Sequence, residues 1–392
     1  MSEKAKKMTL AEKKEKFMEI KPYLIVLLIP IAFTLLFGGL FNPIFAQNIP
    51  IEILDMDQSA TSREVIDNFY DSPTLSVKED VSSVDEIKEK LLTGEIHGAI
   101  IIPQDFGKDL NGKKGAKAVV LMDNSNFMYG NNVMSAVNTI FETVNAGVQL
   151  KYLEAGSLVP YQAEQSVYTL NLVDRIMYNP QLGYFYYLLP GLLAIFAQQA
   201  FLAAGVPILV EEKKRLKDLP MKLSRQFIRV DLSLMVRRFM LLTGLSIIST
   251  MICLRLIIKI WGFPMEGNIF VLILFETVFL GAVTGMALVI ASIFEEVAHA
   301  AQFTMFLTIP TFLSCGFAWP EYMMAPGFAA VIKAIWPLYY YVLPVKNIIL
   351  KGTGLELLKP YLVGCALFAA VWIPIGLLLF GRKVKIIREL HG

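Results

Sequence analysis

The residues best able to do chemistry are few and scattered. Three histidines, His97, His299 and His391, lie far apart, and no G-x-x-x-x-G-K-[ST], H-E-x-x-H, paired-cysteine or G-x-S-x-G pattern occurs. No catalytic residue and no metal-ligand set is therefore expected, and a chain without a phosphate loop has no nucleotide site with which to use ATP by itself. The notable polar residues sit instead inside apolar runs. Glu276 lies about eight residues, roughly 12 Å, inside one end of such a run at 1.5 Å per residue, and Arg255 and Lys259 lie at similar depth in the run before it. Charges in apolar surroundings are costly and therefore informative. Antiparallel neighbouring helices would let Glu276 pair with Arg255; the alternative is a proton or cation site at Glu276, which a cationic neighbour would make a poor carrier. Gln198 and Gln199 stand mid-run in another stretch, and Gln302, Thr304, Thr308, Thr311 and Ser314 in a third. Such side chains either join helices or line a route for an amphipathic substrate. Pro310 should kink its helix and free a carbonyl for Thr308 or Thr311.

The elements that carry these residues are membrane helices. The chain has 392 residues, is 55% hydrophobic and 18% charged, and its mean hydropathy of +0.54 exceeds what a soluble core requires. A bilayer core needs about 20 apolar residues as helix. Six stretches qualify: Tyr23 to Phe45, Tyr184 to Val210, Phe239 to Ile260, Asn268 to Phe294, Ala298 to Phe317, and Pro360 to Phe380. The first follows seven lysines, as a signal peptide would, but its apolar run is too long and no small-x-small site is clear, so it reads as a retained anchor. Cys253, Cys315 and Cys365 all fall in apolar stretches as small hydrophobes.

A net charge of +2 hides an asymmetry that orients the chain. Seven lysines precede the first run (Lys4, Lys6, Lys7, Lys13, Lys14, Lys16, Lys21), nine basic residues fall between Glu211 and Arg238, and four follow Phe380. Residues 46 to 183 carry ten basic against nineteen acidic residues. The positive-inside rule then puts both termini and the 211–238 segment in the cytoplasm and the acidic stretch outside. In that stretch Ile49 to Leu54, Ala99 to Ile102 and Ala118 to Met122 read as strands, and Ser62 to Tyr70 and Val84 to Leu92 as helices. Their alternation suggests a small α/β sandwich, with helical segments from Asn126 to about Asn171 leading back to the membrane.

The expected fold is thus an α-helical membrane protein with six transmembrane helices, an N-terminal amphipathic helix, and an extracytoplasmic α/β domain between spans one and two. Its parts are a cytoplasmic amphipathic helix over 1–22 lying on the inner lipid surface, the first span over 23–45, the α/β domain over 46–183, five spans over 184–380, and a cytoplasmic tail over 381–392. Residues 318–350 hold Pro320, Pro326, Pro337 and Pro344 with Trp319, Trp336 and Tyr339-Tyr340-Tyr341, which predicts short re-entrant helices with aromatics at headgroup level.

Several motifs together carry a family resemblance. Phe312-Leu313-Ser314-Cys315-Gly316-Phe317-Ala318-Trp319-Pro320, Trp336-Pro337-Leu338-Tyr339-Tyr340 and Lys351-Gly352 resemble the C-terminal signature of permease subunits of the ABC transporter type-2 exporter family. Asp55-Met56-Asp57-Gln58-Ser59, Ala99-Ile100-Ile101-Ile102-Pro103-Gln104-Asp105-Phe106 and Asp123-Asn124-Ser125-Asn126 are similar to its branch with a large domain after the first span. Tyr178-Asn179-Pro180 and Leu189-Pro190-Gly191 resemble its approach to the second span. The resemblance implies the type V exporter fold, in the inner membrane, with a second permease chain (the same chain or a paralogue) and cytoplasmic ATPase subunits that bind ATP and Mg; this chain holds no cofactor. It also implies that Glu211, Glu212, Lys213 and Arg215 couple to the ATPase, and that the second and fifth spans border the substrate route, which would include Gln198, Gln199, Thr308, Pro310 and Ser314. The family's Gly-Thr and acidic residue after Glu-Arg-Glu are replaced here by Glu211-Glu212-Lys213-Lys214-Arg215-Leu216-Lys217-Asp218, with only Pro220 in its usual place. The expected function is outward transport of an amphipathic or hydrophobic substrate. Two other classes compete: an anchored extracytoplasmic binding or sensing protein, and an ion-coupled secondary transporter. Membrane lipid is an expected partner and nucleic acid is not.

Overall fold

The structure, a computed structural model, describes residues 10–41, 47–78, 81–112, 116–125, 127–155, 178, 183–217 and 224–391. Lys4, Lys6, Lys7, Asn126, the stretch 156–177, Asn179-Pro180 and Pro220 lie outside them. The chain divides into two compact units, Asn42–Tyr184 and Met1–Phe41 with Phe185–Gly392.

Helix α1 (Leu10–Leu40) runs without interruption through the boundary expected near residue 22. Pro22 and Pro30 each remove one amide from the ladder, but no glycine or capping residue stands between Leu10 and Lys21 to end a helix there. The surface helix and the first span are therefore one element in the described residues.

The inserted unit follows as β1 (Ile49–Asp55), α2 (Ala60–Tyr70), β2 (Leu75–Lys78), α3 (Val84–Thr93), β3 (Gly98–Ile102), α4 (Phe106–Asn111), β4 (Val119–Met122) and α5 (Phe127–Ala155). Its sheet has the order β2-β1-β3-β4, parallel except for β4 against β3. Period-two alternation sends side chains to both faces. Ile49, Ile51, Ile100 and Ile102 pack with Val65, Phe69, Val133 and Val137 on the face covered by α2 and α5. Leu54 and Ala99 pack with Ile87 and Ile96 on the face covered by α3. Glu52, also on that second face, is buried and meets Lys90 Nζ at 2.5 Å. Local chemistry sets the helix ends. Ser83 accepts from the Glu86 amide while the Glu86 carboxylate accepts from the Ser82 amide, and Gly94 closes α3 in the left-handed region at φ 73°.

The Asp-rich motif proves to be a folding device. Asp55 Oδ1 accepts from the Asp57 and Gln58 amides, its Oδ2 accepts from Ser62 Oγ at 2.7 Å, and Asp57 Oδ2 accepts from the Gly107 amide at 3.0 Å. The loops after β1 and β3 are thereby joined.

The second unit contains α6 (Tyr184–Lys217), α7 (Ser224–Trp261), α8 (Ile269–Ile293), α9 (Val297–Phe306), α10 (Thr308–Ser314), α11 (Pro326–Ile335), α12 (Tyr339–Lys351) and α13 (Leu355–His391). Among the described residues five helices are long and apolar enough to span: Glu19–Leu40, Phe185–Leu216, Ser233–Trp261, Ile269–Ile293 and Leu355–Val384. A sixth arises if α11 and α12, bent by 89° at Trp336–Leu338, count as one crossing. The stretch expected as the fifth span is instead the pair α9 and α10, interrupted at Leu307 because Pro310 has no amide to give the Phe306 carbonyl. The Leu307 and Thr311 amides continue the ladder across the break, and the Thr311 hydroxyl donates to the Leu307 carbonyl, which already accepts the Thr311 amide, and not to the Phe306 carbonyl that Pro310 frees. The expected short helices over 318–350 are present, and Glu321 pins them by accepting from Lys333 and Tyr339.

Helix α6 is the centre of this unit: 78% of its apolar window is buried by the chain, against 22% for α1 and 17% for α13. Helix α8 packs mainly on α13, and α1 on α7. The α8–α13 contact is made by glycines. A Cβ on Gly285 would lie 2.9 Å from the Ile373 backbone nitrogen, and one on Gly376 would lie 2.6 Å from Leu288 Cβ.

Candidate functional site

The polar end of α6 is built by alternation of exposed and buried charges. Glu211, Lys214 and Arg215 are exposed, whereas Glu212 and Lys213 are buried. Lys213 Nζ donates to the carbonyls of Ala291 at 2.6 Å and Phe294 at 2.5 Å, at the C-terminal end of α8. A cation there meets the negative end of the helix dipole and carbonyls with no intrahelical amide. Glu212 accepts from Arg215 at 3.3 Å and from Arg238 on α7 at 3.5 Å. The four expected coupling residues thus divide into two that fasten α6 to its neighbours and two, Glu211 and Arg215, that face outward. Of these, Arg215 also touches Glu212.

The expected route residues are brought together only in part. Gln199 on α6 donates its side-chain amide to the Thr304 carbonyl on α9 at 2.9 Å. Gln198 is buried, and the side-chain carbonyl oxygens of Gln198 and Gln199 have no hydrogen-bond partner among the described residues. Ser314 donates to the Pro310 carbonyl at 2.6 Å, while Thr308 is half-buried and Pro310 exposed. Helix α6 therefore meets α9 through Gln199, but Thr308, Pro310 and Ser314 are not drawn onto the glutamines.

The expected Arg255–Glu276 ion pair is not formed. Glu276 is fully buried and its Oε1 accepts from Thr250 Oγ1 on α7 at 2.7 Å. Arg255 is exposed. With 3.6 residues per turn, a position five residues beyond Thr250 points about 140° away from it, so the α7 face that reaches Glu276 carries hydroxyls and not the guanidinium. Ser246, Ser249 and Thr250 are all buried on that face, and Ser249 Oγ donates to the Leu27 carbonyl of α1 at 2.8 Å.

Two clusters lie outside the sequence expectations. The Phe317 ring stacks on Tyr187 with centroids 5.5 Å apart, lies where a Cβ on Gly191 would stand, and faces Lys346 Nζ at 5.3 Å. The Tyr187 hydroxyl also donates to the Phe317 carbonyl. Arg238, too, was not singled out. The i, i+3, i+4 spacing of Ser246, Ser249 and Thr250 is a readable signal for the hydroxyl face; Phe317 stands out only as a member of the Phe312–Pro320 motif, and no local pattern marks Arg238. Among the described residues no cluster of three or more His, Cys, Asp or Glu could hold a metal.

Five or six membrane-capable helices, α6 the most buried of them, with an α/β unit inserted after the first, define a multi-pass helical membrane protein. Residues 21–378 match the model of the ABC-2 family transporter proteins, and the chain belongs to that family. It is 23% identical over 338 residues to the "Probable multidrug ABC transporter permease YbhS" of Escherichia coli strain K12, covering 84% of each chain. It is 22% identical over 343 residues to the "Inner membrane transport permease YhhJ" of the same strain, covering 86% of each.

Proposed function

We propose that this chain is the transmembrane permease subunit of an ATP-driven exporter of the inner membrane. ATP with Mg would be bound and hydrolysed by separate cytoplasmic ATPase subunits, and an amphipathic or hydrophobic substrate would move outward. The observation that carries the reading is the division of charges at the end of α6. Glu212 and Lys213 are used inside the bundle, while Glu211, Lys214 and Arg215 stand exposed at the end of its most buried helix. A partner pressing on that exposed surface acts on α6, and through the Lys213 and Glu212 contacts on α7 and α8.

The remaining parts of the reading follow from charge and kinship. Basic residues flank the apolar runs at both termini and at the 211–238 segment, which supports a cytoplasmic side there and an outer position for the acidic 46–183 unit. The name of one relative supports an inner-membrane location, and the word multidrug in the other's is compatible with the substrate class proposed. A second permease chain, identical or paralogous, completes the assembly.

The test is reconstitution with cytoplasmic ATPase subunits. Transport that needs ATP and persists when the membrane gradient is collapsed supports the proposal; transport that stops with the gradient while ATP remains defeats it. Deleting residues 50–170 separates a pump from an anchored sensor, since a pump retains ATPase activity dependent on this chain.

A further inference from the structure

The buried carboxyl of Glu276 has a setting that the exporter reading does not use. It lies in α8 among Leu272, Phe275, Phe279 and Leu280, all buried. One oxygen accepts from Thr250 Oγ1 at 2.7 Å; the other is buried and makes no well-formed hydrogen bond among the described residues. The groups facing it are the Ser246 hydroxyl and the Cys253 thiol from α7 and the Tyr341 phenol from α12, whose ring stacks on Phe279 at 4.2 Å. Helix α1 brings only the Thr34 hydroxyl to Cys253, and α13 brings the Cys365 thiol to the side of Tyr341. Arg255 and Lys259 are exposed, and no cation among the described residues pairs with the carboxyl.

An ionised carboxylate in an apolar site needs a cation or several donors, and without them it takes up a proton instead. A metal ion would need several oxygen ligands around it, usually more than one of them charged, whereas this site offers one carboxyl, the Thr250 and Ser246 hydroxyls and the Tyr341 phenol within apolar walls. A proton needs a single acceptor, and the unpartnered oxygen is one. We propose that Glu276 is a proton-binding site: its carboxyl carries a proton at neutral pH and joins α7 to α8 as a neutral acid–alcohol pair. The proton comes from water and resides on the oxygen that lacks a partner, leaving the other to accept from Thr250.

Infrared spectroscopy of the full-length chain in lipid tests this directly, because a protonated carboxyl has a carbonyl band that a carboxylate lacks. The band is expected in the wild type at pH 7, shifted in Glu276→Asp and absent in Glu276→Gln. Glutamine, a neutral donor and acceptor of the same shape, should keep the melting temperature within about 3 °C, the shift that roughly 1 kcal/mol gives a unit of this size, while Glu276→Ala should lower it further. The absence of the band from the wild type overturns the proposal even if no variant folds. So does a glutamine variant as unstable as the alanine variant, or a melting temperature that sodium raises in the wild type but not in Glu276→Gln.

Discussion

The Gln199 side-chain amide donates to the Thr304 carbonyl at 2.9 Å and so joins the most buried helix of the bundle to the interrupted pair α9 and α10. Interhelical hydrogen bonds of this kind contribute about 0.6–2 kcal/mol in a membrane. Gln199→Leu should lower the melting temperature of the purified chain by a few degrees. Gln199→Glu keeps the acceptors, loses the donor and adds a charge, and should be worse than leucine in the same thermal assay.

Lys213 is expected to be structural and Lys214 is not. Lys213→Met removes charge-assisted bonds to the Ala291 and Phe294 carbonyls, each kind worth about 1.5–3 kcal/mol. Thermal unfolding should show a clear loss for Lys213→Met and less than about 0.5 kcal/mol for the exposed Lys214→Met.

Charge reversal separates fastening from coupling. Glu211→Lys alters an exposed side chain and should leave the melting temperature unchanged while weakening ATPase stimulation in the reconstituted complex. Glu212→Lys puts a cation against Arg215 and Arg238 and should destabilise the chain before any coupling can be measured. Equal stimulation by wild type and Glu211→Lys would remove Glu211 from the coupling surface.

The α/β unit should weaken at both ends of the pH scale. The Ser59 hydroxyl and the Gly107 amide hold the Asp57 carboxyl below the usual carboxylate range, and the Ser125 hydroxyl and amide, with His97, do the same for Asp123. A lowered folded value means stability that is present above the ordinary carboxylate value of about 3.9 and is lost as pH falls through the lower folded one. Lys90 is held above the usual lysine range by its bonds to Glu52 and then Glu86, despite partial burial. Its contribution is present below about 10.4 and is lost as pH rises through the folded value. Hydrogen exchange of peptides from residues 49–123 in the full chain, corrected for intrinsic rates, should show both losses. Asp57→Asn should reduce the acid one.

Gly285→Leu should separate α8 from α13. The new side chain would begin 2.9 Å from a backbone nitrogen that cannot move aside, and overpacking of this kind costs about 1–3 kcal/mol. Gly281→Leu, where nothing lies within 4 Å, is the control in the same unfolding assay.

Much of this architecture is legible in the sequence because its signals are long or local. Runs of about 20 apolar residues are fixed by bilayer thickness, and the helix and strand periods of residues 49–122 are set by neighbours a few residues apart. Three of the four strands and two helices of the inserted unit follow from them, while the four-residue β2 and the six-residue α4 are too short to have a period. The Arg255–Glu276 pairing was misjudged for a different reason. Depth can be counted from a sequence, but which way a side chain faces around a helix depends on which partner the helix packs against, and the Ser246–Thr250 stripe decides that. The division of the 211–215 charges was hidden likewise, since Lys213 is bonded to carbonyls 78 and 81 residues away. The α9–α10 interruption was readable from Pro310 alone.

The glycine contact between α8 and α13 has a mechanical consequence. Helices held apart by side chains can tilt as rotamers change, but Gly376 lies 3.0 Å, measured from its absent Cβ, from the Gly285 carbonyl oxygen, so here main chain rests on main chain. Such a pair has little freedom to rock or rotate. Helix α6 meets α9 through one hydrogen bond, from Gln199 to the Thr304 carbonyl, its Tyr187 ring stacks on Phe317, and the α9–α10 pair has a missing rung at Pro310. The α8–α13 pair is thus the stiff wall of the bundle, and the bundle's weakest main-chain ladder lies beside Leu307, where Pro310 leaves the Phe306 carbonyl without an amide.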